Sequence, residues 1–265
     1  MTDDTAHARD LRALIERDLD VTVEGRRVPT VLWTPEGAVG PLPIVLVGHG
    51  GGGDRRARWV TAMAQGLASE HGIATLAIDG PVNGDRDTNT DEARELRDRD
   101  RDEYRRRYYM AKYDEMIADW RGALDVAQAL SDVGEGPAGY WGLSMGTRFG
   151  LPLVVAEPRI GVAVLGLFGI KPGTEANQRV YDDAPKVAIP VLFLQQLGDQ
   201  QVGGRASAAL FDALGTDDKR LHANLGGHPE VPEDEMVESR RFLAMRLFDS
   251  LGAPATASRS ASKGS

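Results

Sequence analysis

The chain has 265 residues, 42% of them hydrophobic, which is enough apolar material for one large globular domain. Its 31 Lys and Arg against 40 Asp and Glu give a formal net charge of −9, a balance that works against binding phosphate backbones or anionic lipid. There is no cysteine, so disulfide frameworks, zinc–thiolate sites, iron–sulfur clusters and a cysteine nucleophile are excluded together.

The acidic N-terminus lacks the apolar core of a secretion signal, and no stretch approaches the length of a membrane span, so a soluble cytoplasmic protein is expected. A short helix is predicted for 11–19, within an N-terminal helical segment 1–19. Two β-rich runs, 21–24 and 28–34, joined through Gly25 and Arg26, read as a hairpin. Residues 43–47 are apolar and β-branched between a proline and HGGGG, the pattern of a strand buried on both faces. Asp54 is placed to cap a helix carrying Trp59, Val60, Met63 and Leu67 at helical spacing, ending near Gly72.

The alternation continues with a strand over 73–78, a charged segment, and a helix with Met110, Tyr113, Ile117, Trp120, Leu124 and Ala127 on one stripe. Strands follow at 138–141, 160–167, 190–194 and 221–225, with helices after Ser144, over 206–214 and over 236–251. Repeated β–α alternation of this kind builds a mostly parallel central sheet with helices on both faces. The α/β domain is placed at 20–251, and 252–265, which has little to bury, reads as a disordered tail.

One segment interrupts the pattern. Residues 85–107 hold eight arginines against nine acidic residues, and such interleaving cancels the field that RNA binding needs. It reads as a solvated helix laced with i,i+4 ion pairs, or, within a charged helical insertion at 83–112, as a cap over the site.

Chemistry concentrates at the predicted ends of strands. Gly142-Leu-Ser144-Met-Gly146 is a G-x-S-x-G sequence between a strand and a helix, a context that presents a serine hydroxyl on a strained turn at a helix N-terminus. A serine needs a base, and His228 in Leu225-Gly-Gly-His-Pro follows the last predicted strand on a glycine loop. Of the other histidines, His7 lies near the terminus, His71 ends a helix and His222 sits within a strand. The acid that orients the base is assigned to Asp199, beyond the strand at 190–194; Asp182, Asp183, Asp212, Asp217 and Asp218 lack that placement. The oxyanion hole is assigned to the backbone amides of Met145 and Gly51, with Gly50 or Gly52 as alternatives for the second donor. His49 is read as a brace of the glycine loop. No phosphate-loop motif occurs, and His49 with Asp54 lacks partners at metal-ligand spacing, so no cofactor or metal is implied.

These motifs, HGGGG at 49–53, DGPVNGDR at 79–86, GLSMG at 142–146, GDQQV at 198–202 and GGHPE at 226–230, together resemble the α/β-hydrolase superfamily, and within it the dienelactone-hydrolase-like esterases, over about residues 20–250. The resemblance implies the α/β-hydrolase fold, with Ser144, Asp199 and His228 as nucleophile, acid and base, and structural or pocket-rim positions for Asp79 and Arg86. Dienelactone hydrolases proper use a cysteine nucleophile. The expectation here is therefore a serine hydrolase of small esters, lactones or thioesters, with a small-molecule substrate and neither nucleic acid nor membrane as partner. An acyltransferase or a non-catalytic binding module on the same fold are the alternatives.

Overall fold

The structure, a computed structural model, describes residues 13–170 and 177–252; the predicted tail apart from Gly252 and most of the N-terminal segment lie outside them. Where a helix is predicted, the chain forms a strand, β1 (Leu14–Leu19). A two-residue hairpin follows, β2 (Thr22–Val23) and β3 (Arg26–Arg27), turning through Glu24 and Gly25 at positive φ, and then β4 (Thr30–Pro35). β1 lies antiparallel to β4, Leu14 opposite Pro35 and Leu19 opposite Thr30. Tertiary pairing overrides local pattern here: β4 offers a row of main-chain groups that a short helix would leave unpaired. The carboxylate of Glu16 in β1 also accepts the Trp33 indole N–H at 2.8 Å and an Arg56 N–H at 2.7 Å; the Arg56 hydrogen bond holds its pKa below the ordinary carboxylate value.

β5 (Ile44–Gly48) leads through the glycine loop to α1 (Arg58–His71) and β6 (Ala74–Ile78). α1 starts later than predicted. Ala57 is its N-cap, and Asp54 instead accepts the Arg56 N–H in the preceding turn. The charged segment forms two helices, α2 (Asp91–Arg99) and α3 (Arg101–Tyr108), capped by the side chains of Thr90 and Asp100. Its local ion pairs are spaced i,i+3 rather than i,i+4, Asp91–Arg94, Asp102–Arg105 and Glu103–Arg106, with Arg97 paired to adjacent Asp98. All are exposed, so each contributes little to stability.

The remaining elements are α4 (Tyr113–Gln128), β7 (Ala138–Leu143), α5 (Met145–Ala156), β8 (Ile160–Gly166), α6 (Gln178–Asp183), β9 (Val191–Gln196), α7 (Gly204–Ala213), β10 (Lys219–Asn224) and α8 (Glu233–Gly252). The eight-stranded sheet has the order β1-β4-β6-β5-β7-β8-β9-β10. From β6 to β10 every neighbouring pair is parallel, and β4 runs against them. This is the α/β-hydrolase fold. The period-two alternation of the strands explains its two cores. Ile44 and Leu46 pack with residues of α4, α5, α6 and α7, whereas Val45 and Val47 pack with those of α1 and α8. All parallel strands end on one edge of the sheet, where the loops carrying Gly51, Ser144 and Asp199 emerge.

Between α5 and β8, the buried carboxylate of Glu157 accepts hydrogen bonds from the backbone and side chain of Arg159 (3.0 and 2.9 Å) and lies 3.3 Å from Arg121 Nε. The Arg159 hydrogen bond is the main cause of its lowered pKa. A carboxyl group lowered on folding stabilises the protein above its unfolded-state pKa, and the contribution is lost as the pH falls through the folded value. Glu157→Gln is therefore expected to cost about 1–3 kcal/mol near neutral pH. Thermal melts of wild type and variant should converge in acid.

Candidate active site

Ser144 stands between β7 and α5 with φ 60° and ψ −113°. For a residue with a Cβ this is a strained conformation, costing about 1–3 kcal/mol unless its surroundings impose it. They do so through close packing on both sides. A Cβ on Gly146 would lie 2.6 Å from the Gly48 carbonyl oxygen, and one on Gly142 would lie 2.6 Å from the Tyr140 hydroxyl. That hydroxyl is fully buried and donates to the Gly146 carbonyl at 2.6 Å, and burial pushes its pKa far up, so it remains a donor. The Ser144 N–H donates to Gly166 O at 2.9 Å. Thr147 Oγ1 lies 2.8 Å from Gly142 O and 2.7 Å from Gly166 O and accepts the Gly166 N–H. The turn is thereby tied to β5, β7 and β8.

The three side chains singled out in the sequence come together in one row. Ser144 Oγ is 2.8 Å from His228 Nε2, and His228 Nδ1 is 2.7 Å from Asp199 Oδ2. Asp199 is buried, and its other oxygen accepts the N–H groups of Gln201 and Val202 at 2.8 and 3.0 Å. With both oxygens occupied, the carboxylate is held as an acceptor, so the imidazole carries its proton on Nδ1 and leaves Nε2 to accept from the serine hydroxyl. His222 instead pairs with Glu235 at 3.0 Å, and His71 lies beside Glu70 at 3.7 Å. Asp183 and Asp218 are engaged with Arg179 and Arg246.

Gly50, Gly51 and Gly52 share a cavity with Ser144 and His228. Among the described residues, the amides of Gly51 and Met145 have no acceptor, which leaves both available to a bound oxygen. His49 is buried, with Nδ1 2.8 Å from Gly50 O, while the Gly80 N–H donates to its Nε2 at 2.8 Å. Burial lowers its pKa below the ordinary histidine value. Asp79, at the end of β6, is fully buried and accepts from the Arg55 backbone N–H at 2.7 Å and from the Arg55 guanidinium at 2.5 Å. Arg86 pairs with buried Asp119 at 2.7 Å. These are buried ionic braces. The sequence analysis does not single out Tyr140, Thr147 or Arg55; the signal for Tyr140 is a polar group inside an otherwise apolar strand.

The cavity measures about 280 Å³ and is walled mainly by Ala57, Trp59, Trp141, Leu167, Val231 and Met236. None of its described lining residues comes from 83–112. The insertion borders a separate polar cleft of about 320 Å³, shared at Gly52 and Gly53 and carrying Arg94, Arg97 and Tyr104. Among the described residues no three His, Asp or Glu side chains are grouped to hold a metal ion, and no helix is long and apolar enough to cross a membrane.

A parallel sheet whose serine elbow, glycine loop and histidine loop meet at one edge defines the class: an α/β hydrolase. No protein-family model matches the chain, and no curated protein does. Among solved structures it is similar to a cold-adapted esterase from an Arctic intertidal metagenomic library, in its PEG-bound complex, with 36% identity and a TM-score of 0.77 over 93% of this chain and 100% of that one. Dienelactone hydrolase from Anabaena variabilis matches at 22% identity and TM-score 0.62, over 89% of this chain and 98% of that one. The ferulic acid complex of Est1E from Butyrivibrio proteoclasticus matches at 16% identity and TM-score 0.65, over 89% and 100%; these two likenesses concern the fold. The chain belongs to the same family of esterases as the Arctic enzyme, on the α/β-hydrolase fold.

Because the elbow depends on the approach of α5 to β5, Gly146→Ala should force the two apart. The expected outcome is a loss of about 1–3 kcal/mol in stability, the usual cost of overpacking, and a fall in esterase activity larger than that loss explains. Denaturant titration alongside steady-state assays measures both.

Proposed function

We propose that the chain hydrolyses small, uncharged carboxylic esters through Ser144, His228 and Asp199. The observation that carries this reading is the row of hydrogen bonds from Ser144 Oγ through the imidazole to Asp199, at 2.8 and 2.7 Å, opening into an apolar cavity. His228 Nε2 takes the serine proton as Oγ attacks the ester carbon, and the carbonyl oxygen gains the negative charge. The Gly51 and Met145 amides receive that charge at the N-terminal end of α5, where the helix dipole also favours it. Collapse of the adduct passes the proton from His228 to the departing alcohol and leaves an acyl group on Ser144. Water, activated by the same imidazole, then releases the acid.

Substrate class follows from the walls. Among the described lining residues there is no Lys, Arg, Asp or Glu, so a charged group entering the cavity would lose its hydration without gaining a partner. Apolar acyl or alcohol groups fit it better. The related Arctic esterase was captured with PEG and Est1E with ferulic acid, and organic molecules of modest size are the ligands proposed here.

A fluorophosphonate probe followed by peptide mapping should place the label on Ser144; modification of another residue would overturn the assignment. Ser144→Ala is expected to lower kcat by roughly 10⁵–10⁶-fold, and Asp199→Asn by about 10⁴-fold.

A further inference from the structure

The four glycines at 50–53 have no side chains with which to fix their own peptide planes. The two ends of this loop are nevertheless fastened to adjacent residues after β6, Gly80 and Asp79. At one end the His49 Nε2 accepts the Gly80 N–H, and at the other Asp79 accepts the backbone and guanidinium N–H groups of Arg55. Because the Gly80 N–H is a donor, His49 Nε2 must carry a lone pair, so the ring proton is on Nδ1. That proton points at the Gly50 carbonyl oxygen, 2.8 Å away, which also accepts the Gly53 N–H at 3.2 Å.

In a trans peptide the C=O of one residue and the N–H of the next point in opposite directions. Gripping Gly50 O therefore aims the Gly51 N–H the other way. We propose that His49 is a positioning residue: its Nδ1–H, through the Gly50 carbonyl, sets the direction of the Gly51 amide that receives the oxyanion. The inference rests on the serine esterase reading above. It gives the imidazole a function distinct from joining two loops, because the two ring nitrogens do different work. Nε2 anchors the ring, and Nδ1 orients the peptide.

Side chains that keep one nitrogen's role and lose the other's separate these functions. In His49→Asn, the amide NH₂ lies near the place of Nδ1 and can still donate to Gly50 O; in His49→Gln, the amide reaches the place of Nε2 and can accept from Gly80 but releases Gly50. The test measures kcat and KM of wild type, both variants and His49→Ala on a neutral aryl ester. A boronic acid, which forms a tetrahedral adduct with serine, is titrated against each, with thermal melts alongside. The expected result is a drop in kcat of about 100- to 1000-fold for His49→Ala, the usual effect of losing one oxyanion donor. KM should change little and boronic acid affinity should fall with kcat/KM. His49→Asn should retain more activity than His49→Gln even where its melting temperature is no higher. If His49→Gln is the more active, or if activity follows melting temperature alone, His49 only joins the loops and the proposal is overturned. It also fails if His49→Ala stays within about threefold of wild type while Ser144→Ala is inactive. Full activity in Ser144→Ala would instead reject the serine mechanism itself.

Discussion

How near α5 is allowed to come to β5 governs the geometry of everything around Ser144. The Cα of Gly146 packs against the Gly48 carbonyl so closely that a methyl group could not be inserted, and the Tyr140 hydroxyl fills the remaining space while bonding to Gly146. This packing imposes the positive φ of Ser144 and brings the first amide of α5 next to its hydroxyl. The strain is held by the Ser144 N–H bond to Gly166 O and by the Thr147 hydroxyl on the Gly142 and Gly166 carbonyls rather than by the serine side chain. Such packing holds the Ser144 hydroxyl in one place, which is what the proposed mechanism asks of it.

Charge is buried only where its partners are already in place. Asp199 divides its two oxygens between an imidazole and a pair of backbone amides. Asp79 is likewise enclosed by Arg55 and backbone N–H groups, and Asp119 by Arg86 and Arg26. Removing one member of such a set leaves an uncompensated charge in a poorly solvated place, so these groups keep the loops in a single arrangement. The apolar cavity sits among them without a charged wall of its own.

Much of this was legible in the sequence because its signals are local. The central parallel strands, unlike the polar edge strand β10, declare themselves as short apolar runs, and the glycines around Ser144 and before His228 mark turns. Pairing across the sheet is not local, which is why the pattern over 11–19 suggests a helix where 14–19 form a strand: the residues that make it a strand, Thr30 to Pro35, lie on the partner, and its charged positions fit either structure. The same limit hid the roles of Tyr140 and Arg55, whose partners are respectively six and 24 residues away. Asp79 and Arg86 stood out by their motif, but only the fold reveals that they hold loops together.

The paired helices α2 and α3 surround a small apolar cluster of their own, formed by Val82, Ala93, Leu96, Tyr104 and Tyr108. They reach the main body through an aromatic contact, Tyr109 against Phe149, with ring centroids 5.9 Å apart. A subunit of structure that carries its own packing can diversify at a pace unlike that of the elements beneath it. Substitutions on its outer surface would therefore redraw the polar cleft beside Gly52 without entering the apolar cavity that holds Ser144.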